Sequence, residues 1–296
     1  MAATAALRIA TRASALAIWQ AEHVADLLRS AHPGIVIEFV PMTTEGDRRL
    51  DVPLSEIGGK GIFATEVQAA VLHQRADVAV HSAKDLPAVT GDGLFLAAVP
   101  ERGDARDALV GNTLDSIPTG GVVATGSARR RALLADLRPD LGFAELRGNM
   151  ATRLAKADQF DAIVVAAVAF QRLGLADNLS EVLAVDSFVP QVAQGALAVE
   201  CRSEDPATAA LLAGIEHAPS RRRVDTERAF LAELGGDCTL PAGAHAELVG
   251  DAVVLHAVLA DEVGGRVLQR AVTGTEPEAL GRAVAAEMFA ELHSSG

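Results

Sequence analysis

Along most of this chain, short runs of valine, isoleucine, leucine and alanine alternate with longer stretches of helical periodicity, and no other feature restricts its fold so much. A strand followed by a crossover helix feeds a neighbouring strand of the same sheet, so the alternation predicts α/β layers with mostly parallel strands. The first block reads as a strand at 7–10, a helix at 14–31 capped by Ser14 and ended by Pro33-Gly34, and a strand at 35–41. A glycine-rich loop at 57–63, a helix to about Gln74 and a strand at 77–81 complete it. The pattern restarts after Pro100, with strands at 107–110 and 122–125, a helix at 128–137 capped by Ser127, a strand at 143–146, a helix at 150–157 and a strand at 162–166. A strand at 196–201 and a helix at 207–217 then return to the first block.

The character changes after Arg221-Arg222-Arg223. A helix runs through Leu234 to Gly235-Gly236-Asp237-Cys238, followed by two or three strands, among them 252–260 and 267–272 joined by the hairpin signal Gly264-Gly265, and a last amphipathic helix at 277–292. The expected fold class is α/β: two α/β domains plus a small C-terminal α+β domain. Domain 1 spans residues 1–100 and 197–218, domain 2 spans 101–196 and domain 3 spans 219–296. A chain of 296 residues lies where single hydrophobic cores stop growing and divide.

A formal net charge of −13 argues against a nucleic-acid partner, because phosphate backbones demand a basic face. The positive charge is unevenly made: Lys60, Lys84 and Lys156 are the three lysines, so arginine supplies 23 of the 26 basic residues. The arginine fork matches a carboxylate in two-point fashion, so clustered arginines in an acidic chain point to a local anion site. Two cysteines, Cys201 and Cys238, are too few for a disulfide framework and suit a reduced cytosol. The alanine-rich start faintly resembles a transit peptide, yet the same residues form the first strand and helix. No apolar run approaches the roughly 20 residues that span a bilayer, and the eight histidines show no metal-ligand spacing. A cytoplasmic protein, monomeric and without a metal or a membrane partner, is expected.

Three strand-to-helix turns carry arginines. Arg12-Ala13-Ser14 is the first, where free backbone N–H groups and the helix dipole favour anions. Thr125-Gly126-Ser127-Ala128-Arg129-Arg130-Arg131 is the second, with three cations at the helix end that disfavours them. Either a solvated basic face or a bound anion accounts for that cluster, and Arg131 is the member expected to point elsewhere. Leu146-Arg147-Gly148-Asn149 with Arg153 is the third. Turns at equivalent strand ends gather around one crevice, where open α/β sheets bind ligands. Gly58-Gly59-Lys60-Gly61 has the spacing of neither a phosphate loop nor a dinucleotide loop; it reads as a lid or a plain turn. In His81-Ser82-Ala83-Lys84-Asp85-Leu86-Pro87 a base and an acid end a strand, and at the mouth of an arginine-lined cleft Asp85 is placed to stabilise a cationic intermediate. Cys238 follows two glycines in a loop, whereas Cys201 lies in an apolar strand and reads as inert packing.

Taken in order, Leu7-Arg8-Ile9-Ala10-Thr11-Arg12-Ala13-Ser14, Gly58-Gly59-Lys60-Gly61, His81 to Pro87, Leu146-Arg147-Gly148-Asn149, Gln194-Gly195-Ala196-Leu197 and Gly236-Asp237-Cys238 resemble the porphobilinogen deaminases along nearly the whole chain. The resemblance implies that the first two domains look like a periplasmic solute-binding protein and that the third carries a cofactor cysteine. It implies loss of ammonia from porphobilinogen, four head-to-tail condensations onto a covalently bound dipyrromethane, and release of hydroxymethylbilane in tetrapyrrole biosynthesis. By position in the matching motifs, Asp85 is catalytic and Cys238 forms the thioether to dipyrromethane. Lys84, Ser127, Arg129, Arg130 and Arg153 bind the cofactor. Arg12, Ser14, Arg147 and Arg172 bind substrate, and Lys60 and Phe63 belong to the lid. Each pyrrole carries an acetate and a propionate, so several charged hydrogen bonds, worth roughly 1.5–3 kcal/mol each, have to offset their repulsion. Gly126, Ala128, Ala151, Ala193 and Asp237 depart from the family pattern. A solute-binding protein would use the same crevice, but it would leave Asp85 and Cys238 without work.

Overall fold

A computed structural model describes residues 6–44, 64–235, 240–261 and 265–294. The first sheet has the order β2-β1-β3-β10-β4, built from β1 (Leu7–Arg12), β2 (Ile37–Met42), β3 (Val78–Ser82), β4 (Leu94–Ala98) and β10 (Leu197–Arg202). The second has the order β7-β6-β8-β5-β9, from β5 (Asp107–Gly111), β6 (Val122–Ala124), β7 (Gly142–Ala144), β8 (Ala162–Ala166) and β9 (Glu181–Val182). Both sheets repeat one pairing pattern, two parallel contacts followed by two antiparallel ones. The expected predominance of parallel strands holds, since four of the five strands in each sheet share one direction; β10 and β5, which enter their sheets from the crossover segments rather than through a helix, run against their neighbours.

Helix α1 (Ala15–Ala31) shows why the first layer closes. Ser14 caps it by accepting from the Ala17 N–H, and Ala21, Val24, Ala25 and Leu28 are buried at helical spacing. They meet Ile9, Val78, Val80, Leu197 and Val199 from the sheet. Each large apolar side chain buried in this way contributes roughly 1.5–3 kcal/mol. Helix α2 (Thr65–Leu72) covers the other face, where Val67, Ala70 and Val71 pack with Ala10 and Ala79. In the second lobe, α3 (Ala128–Leu137) places Leu133 and Leu134 against Leu109, Val123 and Val164. The short helices α4 (Met150–Ala155) and α5 (Ala167–Arg172) follow β7 and β8.

After α6 (Pro206–Ala213), the third unit lays α7 (Ala218–Glu233) and α8 (Pro277–His293) on the antiparallel sheet β11 (Ala242–Val249), β12 (Ala252–Ala260) and β13 (Val267–Gly274). The two helices approach so closely that a Cβ at Gly281 would lie 2.3 Å from the Thr226 carbonyl oxygen. Thus the molecule has two α/β sheet domains and a small C-terminal sheet domain. Strand β11 is the third strand that the sequence left unplaced, because its alanines and glycine carry little β signal, and β4 and β9 were not foreseen. The hairpin expected at Gly264-Gly265 falls partly outside the described residues.

Two crossover segments join the lobes. At Gly195 the backbone has φ +88°, and a Cβ there would lie 2.6 Å from the Gly103 carbonyl oxygen, so only glycine fits where the segments touch. Fully buried Glu227 of α7 ties the third unit to both segments. It accepts from Arg102 at 2.6 and 3.1 Å, from the Ala193 N–H at 2.7 Å and from the Ala246 N–H at 2.8 Å.

Candidate active site

Strand β3 ends in a 3-10 turn, Ala83–Asp85, held by the Ala83 N–H donating to the Ala196 carbonyl. The turn sends its two charged residues in different directions. Asp85 keeps a side chain 28% exposed, with one oxygen 3.9 Å from the Arg12 guanidinium. Lys84 goes inward and donates to Gln194 Oε1 at 3.0 Å. Burial, then Arg130, push the Lys84 ammonium down to about 8 against the pull of Asp85 and Asp107. Arg12 is the last residue of β1 rather than a loop residue as expected, paired in register with Met42. Ser14 is engaged as the cap of α1.

The second wall resolves the paradox of three arginines in one helical turn. Asp107, the fully buried first residue of β5, accepts from Arg129 at 2.7 Å and from Arg130 at 2.6 and 3.0 Å. Burial alone would raise its carboxyl; Arg129, Arg130 and Gln194 overcome that and hold it well below the usual carboxylate range. The guanidinium groups also reach the carbonyls of Val189 at 2.6 Å and Val164 at 3.0 Å. The anion that the cluster required is therefore internal. One aspartate between two arginines leaves the group net positive. Ser127 caps α3 through the Arg130 N–H, and Arg131 pairs with exposed Glu145, pointing away as expected. Gly126 tolerates little else: a Cβ there would come within 3.1 Å of the Leu146 carbonyl oxygen.

Among the described residues, Arg147 and Arg153 form no ion pair with a carboxylate. The buried Nη1 of Arg147 has no hydrogen-bond partner among the described residues, and Arg153 donates to the Gly148 carbonyl at 2.8 Å. Arg153 is pushed down to about 10 by burial and Arg130, with Asp85 opposing and Arg147 adding to the repulsion. Lys84, Asp85, Arg130, Arg147 and Arg153 thus share one field. Arg172 stands apart, at the end of α5, donating to the Gly195 carbonyl at 2.8 Å and lowered to about 10 by burial. Lys60, Phe63 and Cys238 lie outside the described residues. Cys201 is buried in β10 with its thiol pushed up to about 11, the inert packing expected of it.

Two cavities open at this corner. One is lined by Arg12, Gln20, His81, Ser82 and Asp85. The other lies between the first and third units and is lined by Lys84, Gln191, Arg228 and Leu240 among others. His81 is buried with Nε2 3.2 Å from fully buried Glu200, whose carboxyl is lowered by His81 and Gln68 although burial opposes this. Asp107 and Glu200 went unassigned in the sequence because each is a lone acid in an apolar strand, and Gln194 because its motif carried no chemistry of its own. Ala193, where a glycine was expected, adopts φ +58° and is held there by Glu227.

Fold and site together define a two-lobed α/β protein that, among the described residues, concentrates cations around the partly exposed carboxylate of Asp85, a class suited to a small molecule bearing many carboxylates. Residues 7–210 match the family described as porphobilinogen deaminase, dipyromethane cofactor binding domain, and residues 222–290 match porphobilinogen deaminase, C-terminal domain. The porphobilinogen deaminases of two strains of Acidithiobacillus ferrooxidans are each 47% identical over 290 residues, spanning 96% of this chain and 95% of theirs. Among solved structures, a nutrient binding protein from Burkholderia cenocepacia bound to methionine is similar at TM-score 0.43 and 12% identity, covering 70% of this chain and 90% of that one. The chain belongs to the porphobilinogen deaminase family, a family of transferases, and its first matched region is a dipyrromethane-binding domain. Dipyrromethane brings acetate and propionate groups, and the orphaned Nη1 of Arg147 beside the counter-ion-poor Arg153 fits such a group.

Proposed function

We propose that this chain deaminates porphobilinogen and joins four molecules head to tail on a dipyrromethane primer, releasing hydroxymethylbilane, with Asp85 as the catalytic carboxylate. The observation that carries the assignment is the contrast in pairing: Asp85 is partly exposed with its nearest arginine at 3.9 Å, while Asp107 is buried and chelated at 2.6–2.7 Å. A carboxylate held loosely in a cationic field can turn its charge toward a pyrrole N–H and toward the cation that forms as ammonia leaves. Bound to Cys238, dipyrromethane supplies the terminal pyrrole whose free α-carbon is the nucleophile.

The remaining roles follow from charge and burial. Arg147, Arg12 and Arg172 bind substrate carboxylates, with Ser14 ordering the Arg12 turn. Arg153, Lys84 and the net positive Arg129–Asp107–Arg130 cluster attract the cofactor's carboxylates, with Ser127 fixing the helix start. Lys60 and Phe63 cover the cleft. We assign the lobes to residues 1–100 with 197–218 and to 101–196, with the cofactor cysteine in 219–296; β10 lying between β3 and β4 supports the return of the chain to the first lobe. The protein acts as a cytoplasmic monomer. Its net charge of −13 supports the absence of a nucleic-acid partner.

Intact mass spectrometry of the denatured protein, beside a tryptic map, tests the reading. The expected result is an excess of two condensed pyrrole units on the Cys238 peptide, absent from Cys238→Ser. Pyrrole retained by that variant would move the attachment site, and a chain that stays unmodified after incubation with porphobilinogen would reject the reading.

A further inference from the structure

Arg172 differs from the other cations of the cleft in what holds it. Its guanidinium carbon lies 5.2 Å from the centre of the Trp19 ring, which belongs to α1 of the opposite lobe. One Nη donates to the Gly195 carbonyl, where the crossover segments touch. Among the described residues no carboxylate pairs with it, and burial alone lowers it to about 10. His23 stacks on Trp19 at 5.1 Å and 9°. Its ring is held below its ordinary value by burial and then by Arg172, against Asp26. Arg172 thus disfavours a second positive charge on this stack.

An acidic partner would hold Arg172 as firmly as an aromatic face does, but it would neutralise the charge and occupy the donors, as Asp107 does to Arg130. A ring leaves the N–H edge open. We propose that Trp19 is a positioning residue for the condensation reaction: its face holds the Arg172 guanidinium across the cleft so that the N–H edge meets a substrate carboxylate. The proposal rests on Arg172 being a substrate ligand, and the two are separable by experiment.

Trp19 is the single tryptophan of a chain without tyrosine, so intrinsic emission reports this stack alone. With cofactor-loaded enzyme, Trp19→Leu should raise KM for porphobilinogen roughly three- to thirtyfold, the span that losing a cation–π contact allows, with kcat changed by less than about twofold. Trp19→Phe should restore most of the loss. Adding porphobilinogen should change the emission of the parent enzyme and leave that of Arg172→Gln unchanged. If Arg172→Gln raises KM while Trp19→Leu does not, the positioning role is overturned and the site reading stands. If Arg172→Gln leaves KM unchanged, the ligand role of Arg172 falls and the proposal with it. Should Trp19→Leu not fold, constant emission of the parent on adding substrate overturns the proposal.

Discussion

The two lobes present the same turn twice and use it differently. In each, a strand leads into a helix capped by a serine, Ser14 accepting from the Ala17 N–H and Ser127 from the Arg130 N–H. In the first lobe the turn's arginine, Arg12, stays partly exposed and lies 3.9 Å from Asp85. In the second, Arg129 and Arg130 are buried on Asp107 at 2.7 and 2.6 Å. A long, partly exposed pair can exchange its partner for a ligand at smaller cost, whereas a dry pair cannot be parted without stranding a buried charge. Similar residues in similar turns therefore divide into a grip and a frame.

The sharpest way to break this contrast is to remove the frame's anion. Asp107→Asn leaves two guanidinium groups facing each other beside Lys84, and should lose roughly 3–5 kcal/mol of stability, as one-sided removal of a buried pair does. Denaturant unfolding checks this; an unchanged midpoint would mean that the cluster is not the frame. The matching change in the other lobe should do the reverse. Asp85→Asn should lower turnover by about 10²–10³, with a stability loss well below that of Asp107→Asn, as expected of a partly exposed position. Near-normal turnover would remove Asp85 from the chemistry, and a stability loss as large as that of Asp107→Asn would erase the distinction between the lobes.

The layered architecture and the arginine turns were legible in the sequence because both are local: strand and helix periods, serine caps and glycine stops act over a few residues. Ser14 and Ser127 cap the helices they were expected to cap. What stayed hidden is pairing over distance. Asp107 lies 22 and 23 positions from the arginines it binds, and Glu227 lies 125 from Arg102. Nothing in a lone aspartate or glutamate announces such partners. For the same reason the internal anion between Arg129 and Arg130 stayed hidden, as did the one strand of each sheet, β10 and β5, that re-enters from a crossover and runs against its neighbours.

Lys84 joins both regimes, since it sits in the first lobe's turn yet turns inward, half-buried, toward the second lobe's charges. Its folded value of about 8 lies below the ordinary 10.5. Below pH 8 the ammonium is protonated in both folded and unfolded chains, and its burial counts fully against folding. Above pH 8 the folded chain releases the proton first, so stability rises until the unfolded lysine also titrates. Relative to Lys84→Met, the parent should therefore gain about 2 kcal/mol between pH 7 and pH 9.5. Affinity for a carboxylate ligand should move oppositely, weakening in the parent as the ammonium is lost while the variant shows no such limb. Unfolding midpoints and KM for porphobilinogen measured over that range test both halves. A parent whose stability runs parallel to the variant's would place Lys84 with the partly exposed grip of Arg12 rather than between the two lobes.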